Sequence, residues 1–155
     1  MTTLKCGEFQ FNHQKDSQEI RREFEKVTCT KEEECKEGDK KVQCQKRTVI
    51  GPSKEDPNFF LGAVACLCPS RLEDGWTPRP KPGERIPCGE TWLFYSKNKE
   101  ELARICEMAL CSDEKTCGEG EDKKRCVRRT LIRASKEDEK FFMAMVACIC
   151  PDKLK

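Results

Sequence analysis

Polar and apolar residues alternate in two separated stretches, Cys6-Gly7-Glu8-Phe9-Gln10-Phe11-Asn12 and Cys88-Gly89-Glu90-Thr91-Trp92-Leu93-Phe94-Tyr95. A period of two with aromatic residues is the pattern of a strand. The period then changes. Ile20, Phe24 and Val27, and later Leu102, Ile105, Cys106, Ala109 and Leu110, fall on one face of a helix. Asp16 with Glu19, and Asn98 with Glu101, supply the N-cap and the acidic residue three positions on that mark a helix start. A charged loop follows in each case, Thr30–Gly38 and Ser112–Gly120, and then a β-like stretch, Lys41–Ile50 and Lys123–Ile132.

The last element is apolar at nearly every position: Phe59–Cys68, repeated as Phe141–Cys150. Such a run suits a strand buried on both faces or a buried helix. Pro57 and Gly62 disfavour the helix, so a strand is expected. As a hairpin it would set Ile50 near Phe60, Cys44 near Cys66, and Cys126 near Cys148. One face would take the helix, and the partner unit would cover the other.

The element order therefore occurs twice, and the cysteines fix the repeat. Cys6, Cys29, Cys35, Cys44, Cys66 and Cys68 recur as Cys88, Cys111, Cys117, Cys126, Cys148 and Cys150 at a constant offset. About 28 of the 64 aligned positions are identical with no gap, which identifies a tandem duplication. The fold class expected is α+β: two copies of a small disulfide-rich unit, strand-helix-strand-strand, with three disulfides each. The domains read as residues 1–69 and 88–155, joined by a Pro-rich, semi-rigid linker over 70–87.

Of the 155 residues, 37% are charged and 13 are cysteine, and the mean hydropathy is −0.79. A unit of this size gains too little from its core alone, and disulfides supply the remainder. Zinc would favour Cys-x2-Cys knuckles with histidine, whereas here the close pairs are Cys-x-Cys and His13 is the sole histidine. Neither a metal nor a cofactor is expected. A disulfide framework points to a secreted, extracellular chain. Met1-Thr2-Thr3-Leu4-Lys5 leads straight into Cys6, so the sequence reads as a mature chain whose signal peptide is absent. No apolar run is long enough to span a membrane, and a formal net charge of +2 argues against a nucleic-acid partner.

Cys106 alone has no counterpart; Phe24 stands at its place. On the apolar helix face it reads as a buried free thiol, the alternative being a bridge between two chains in a dimer. No nucleophile motif accompanies His13, so the protein is not expected to be an enzyme. Candidate partner-binding residues are Trp76, Trp92 and the basic group Lys123, Lys124, Arg125, Arg128 and Arg129, matched by Lys40, Lys41, Lys46 and Arg47 in the first copy. Exposed tryptophans anchor protein interfaces, and basic strands attract anions. The function expected is a secreted, non-catalytic binding protein: a decoy, inhibitor or modulator, including immunomodulation, of an extracellular protein target. A protease inhibitor would present a rigid loop at Lys31–Gly38 or Gly51–Asn58. The alternative is a matrix-associated protein that binds a sulfated glycan.

Overall fold

The computed structural model describes residues 2–74, 84–118 and 120–154. Each unit is built on a three-stranded antiparallel sheet with the long apolar strand in its centre. In the first unit β2 (Phe9–Gln14) and β6 (Gln45–Pro52) flank β7 (Phe60–Leu67). In the second, β9 (Thr91–Ser96) and β11 (Val127–Ala134) flank β12 (Phe142–Ile149). The last element is thus a strand in both copies. A central strand is paired along both edges and covered on both faces, which is why it carries no polar position.

One face of each sheet carries a helix, α1 (Ser17–Glu25) or α3 (Lys99–Met108). The Asp16 side chain accepts hydrogen bonds from the Gln18 and Glu19 N–H groups, and that of Asn98 from the Glu101 N–H. Both predicted caps therefore act as caps. Both helices end earlier than the apolar spacing implied. Val27 belongs to β3 (Val27–Cys29), which pairs in parallel with β1 (Thr2–Leu4). In the second unit β10 (Leu110–Cys111) pairs likewise with β8 (Arg85–Ile86), and Leu110 is exposed rather than on a buried face. These pairings are two or three residues long, too short to leave a period in the sequence.

The hairpin register differs from the expected one by two residues. Ile50 lies across from Gly62 and Lys46 across from Cys66; in the second unit Arg128 faces Cys148. A slip of two returns every side chain to the same face, so the hydropathy pattern cannot distinguish the two registers. The turn decides. Ser53 Oγ donates to the Asp56 carbonyl at 2.6 Å and accepts from the Asp56 N–H at 3.1 Å, and Ser53 N–H donates to the Phe59 carbonyl at 2.8 Å. Ser135, Asp138 and Phe141 repeat the arrangement.

All twelve predicted cysteines are bridged, with the same connectivity in each unit: Cys6–Cys44, Cys29–Cys66 and Cys35–Cys68, then Cys88–Cys126, Cys111–Cys148 and Cys117–Cys150. Two of each three tie the segment after the helix to the end of the central strand. In the first unit the hairpin of β4 (Cys35–Glu37) and β5 (Lys40–Val42), turned by Gly38 at φ +65°, runs from Cys35 toward Cys44. After the central strand the first unit ends in a short helix, α2 (Pro69–Asp74), and the second in a 3-10 turn over Pro151–Leu154.

The two sheets stack face to face. Leu61, Ala63, Ala65 and Leu67 of β7 join Met143, Met145, Ala147 and Ile149 of β12 in one core, closed by Phe59, Phe141 and Leu72. Leu61, Met143 and Met145 have no exposed surface. Burying a side chain of that size contributes about 1.5–3 kcal/mol, so this shared layer is a principal source of stability. The layer order is helix, sheet, sheet, helix.

Candidate functional site

The seam between the units is where their side chains meet, and its geometry repeats about an approximate twofold axis. β6 and β11 are edge strands, and each has its free edge met by the hairpin loop of the other unit. The Thr48 N–H and hydroxyl donate to the two carboxylate oxygens of Glu137 at 2.7 and 2.8 Å, and the Lys136 N–H donates to the Thr48 carbonyl at 2.8 Å. Reciprocally, the Thr130 N–H and hydroxyl donate to Glu55 at 2.7 and 2.8 Å, and the Lys54 N–H donates to the Thr130 carbonyl at 2.8 Å. Thr48 and Thr130 are both buried. The Gly51–Asn58 loop thus engages the other unit through the Lys54 N–H and the Glu55 carboxylate, while Pro52, Lys54, Glu55, Pro57 and Asn58 stay exposed.

The symmetry is broken in charge. Beside Thr48 two adjoining hollows, about 220 and 350 Å³, share Arg21, Thr48, Ile50 and Lys136 in their walls. Lys46 lines the first and Arg133 the second. Two of these cations are held in place by backbone carbonyls: Lys46 Nζ donates to Phe24 O at 2.7 Å, and an Arg133 guanidinium nitrogen to Ile50 O at 3.0 Å. The Arg21 and Lys136 side chains make no hydrogen bond or ion pair with a described residue. Two carboxylates, Glu25 and Glu137, line the first hollow, and both oxygens of Glu137 are engaged by Thr48. At the equivalent positions on the other side stand Ala103, Arg128, Gly51 and Lys54, with Glu107 and Glu55. Four cations face two carboxylates in one place, and two face two in the other. Gly51 leaves room for Arg133: a Cβ there would lie 2.9 Å from the flexible end of its guanidinium and 3.0 Å from Leu131 Cδ1.

A second cleft of about 510 Å³ opens between the sheets, lined by Phe9, Leu67, Leu93 and Tyr95 with Lys36 and Arg71 among its polar walls. Phe9 is 52% exposed, the most exposed of the large apolar side chains among the described residues. Tyr95 lies 5.6 Å from Phe141 between ring centroids, as His13 lies 5.8 Å from Phe59. Burial raises the Tyr95 phenol above its ordinary range against the opposing pull of Arg71. Burial lowers the His13 imidazole, and Lys153 adds to the shift.

The predicted basic group does not form one patch. Lys123, Lys124 and Arg125 precede β11 and are exposed. Arg128 turns toward the helix, where a guanidinium nitrogen donates to Cys106 O at 2.7 Å. Arg129 projects from the opposite face, donating to Arg128 O at 3.2 Å, and its Nε is buried with no partner. Arg47 repeats that arrangement in the first unit. Lys46 and Arg128 thereby place cations on helix C-termini, where carbonyls lack partners and the dipole is negative. Trp92 lies half-buried on the helix-facing side of β9, edge-on to Phe94 with centroids 6.3 Å apart. Trp76 falls outside the described residues.

Cys106 is the free cysteine and is buried, 2% exposed, among Leu102, Ile105, Ala144 and Val146. Burial pushes its thiol up to about 11, with Arg128 opposing the shift. Alignment of the two halves explains why it is there. The first unit pairs Phe24 with Gly62, where a Cβ would come within 2.7 Å of Phe24 Cε2 and 2.6 Å of Ile20 Cγ2. The second unit uses the smaller Cys106 and gains the methyl of Ala144.

Sequence reasoning missed the cationic groove, although the signal was present. Arg21 against Ala103, and Arg133 against Gly51, are two of the positions where the aligned halves differ in charge. What the sequence did not show was that both flank one hollow. Among known proteins, no family model matches the chain, nor does any curated protein or any solved structure.

Proposed function

We propose that this chain is a non-catalytic binding protein that works outside the cell and engages an extracellular protein target. The observation that carries the reading is the fused, six-disulfide body: two units share one apolar core and hold the cleft at Phe9, Leu67, Leu93 and Tyr95 between them. Disulfides persist in oxidising compartments, and no helix among the described residues is long and apolar enough to cross a membrane. A rigid body loses little conformational freedom on binding, and this favours affinity from a modest surface. The exposed ring of Phe9 offers an aromatic contact, and Lys36 on the wall suits an acidic residue beside an apolar one on the target.

The test is recovery of a stoichiometric complex from extracellular fluid by crosslinking, with Phe9→Asp and Phe9→Leu compared. Binding should fall at least about tenfold with Phe9→Asp and survive Phe9→Leu. A complex indifferent to Phe9→Asp would discard this surface, and turnover of a substrate by the purified chain would discard the non-catalytic reading.

A further inference from the structure

The cationic groove at Thr48 shares no lining residue with the Phe9 cleft, and its chemistry is different. We propose that the groove walled by Arg21, Lys46, Arg133 and Lys136 binds the sulfate esters of an acidic glycan. This goes beyond the protein-target reading and does not depend on it.

Like charges brought together on one surface raise the energy of the folded chain unless an anion joins them. Here the cations come from a helix, two strands and a hairpin loop, and both units must dock to bring them together. The twofold-related position lacks two of them, so the docking itself does not require this cluster. Lys46 and Arg133 are held by backbone carbonyls, which sets their heads in advance of a ligand. Arg21 and Lys136 have no described side-chain partner and retain their donors. A guanidinium pairs two N–H groups with two oxygens of an oxyanion. The groove is open, and two adjoining hollows suit consecutive charged groups along a chain. Phe24 is the one aromatic residue lining the hollows and is 1% exposed, so no ring face is open to a base, an arrangement that fits a sugar sulfate better than a stacked base.

The experiment measures binding of a sulfated heparin octasaccharide to the intact protein by calorimetry, at low and physiological salt. Arg21→Ala with Arg133→Gln should weaken binding at least about tenfold. Lys123→Ala with Arg125→Ala removes the same formal charge from the exposed segment before β11 and should change it less than about twofold. Binding should also weaken as salt rises, because exposed charges are screened. Equal loss in the two double variants would overturn the site by reducing it to net charge. An octasaccharide that does not bind the wild-type protein would overturn the proposal outright. A glutamate peptide of matching charge that binds as tightly would overturn the glycan assignment in favour of an acidic protein segment. Phe9→Asp should leave octasaccharide binding unchanged, so failure of the protein-target reading and failure of this one are separable.

Discussion

The two units share a backbone plan and disagree about what fills the space between helix and sheet. In the first, Gln10 and Asn12 on β2 donate hydrogen bonds to the Glu23 carboxylate on α1, the former at 2.9 Å. In the second, the same positions are Trp92, Phe94 and Ile105, and the three join one apolar cluster. A polar triad has become an apolar triad, with all three members changed together. The same holds one step deeper, where Phe24 and Gly62 are exchanged for Cys106 and Ala144. Pairwise exchange of this kind is how a close-packed interior tolerates change. By contrast, the reciprocal hydrogen-bonding residues at the seam recur in both halves, Thr, Lys and Glu with the Phe of the hairpin, while the apolar positions between the sheets differ, as at Ala63 and Met145. The helix-to-sheet layer diverged while the reciprocal Thr–Glu docking contacts did not.

The largest test of this comparison removes one disulfide from each unit in turn. Cys29→Ala with Cys66→Ala, and Cys111→Ala with Cys148→Ala, each open a bridge whose ends are 37 residues apart. Each should cost about 4 kcal/mol. Because the units share a core, calorimetry should show one unfolding transition in both variants. Two separated transitions would mean that each unit folds independently.

Next in size is the exchange of Cys106. Cys106→Phe alone overfills the second unit and should cost about 2 kcal/mol, and adding Ala144→Gly should recover most of it. Denaturant unfolding of the three variants measures the coupling, and additive costs would break the account of the free thiol. Smaller effects are expected at the seam. Glu55→Ala and Glu137→Ala each orphan a buried threonine and should cost about 2 kcal/mol or less, the two agreeing closely. A marked difference would show that the docking contacts have diverged after all.

The smallest effect distinguishes His13 from Tyr95. Burial holds the folded imidazole below its ordinary value of 6.5. The unfolded chain therefore binds the proton more readily. This contribution to stability is complete above that value and is lost as pH falls through it toward the lower folded value. Melting temperatures at pH 7.5 and 5 should differ more for the wild type than for His13→Tyr; equal differences would assign the pH dependence to other groups.

Much of the fold was legible because duplication provided two independent readings. The caps at Asp16 and Asn98, the buried faces of α1 and α3, and the doubly buried central strand all follow from residues visible in both copies. The parallel pairs of Thr2–Leu4 and Arg85–Ile86 were not legible, since so short a pairing carries no period. Nor was the register, because a two-residue slip preserves faces and only the Ser53 and Ser135 turns decide it. Candidate binding residues were less legible still. Arg128 and Arg129 are neighbours in sequence but project from opposite faces of one strand, whereas Arg21 and Arg133 are distant in sequence and flank one hollow.

The paired contacts of Thr48 with Glu137 and Thr130 with Glu55 have the form of an isologous interface, in which residue i meets j and j meets i. A single unit bearing both a threonine and a glutamate at these positions holds everything needed to dock with a copy of itself. Joining two such units in one chain adds no new contact of this kind. What fusion adds is independence: a homodimer must carry every substitution twice, whereas this chain placed Arg133 opposite Gly51 and Arg21 opposite Ala103, one member of each pair at a time. The covalent link thus converts a symmetric surface into one that has a front and a back.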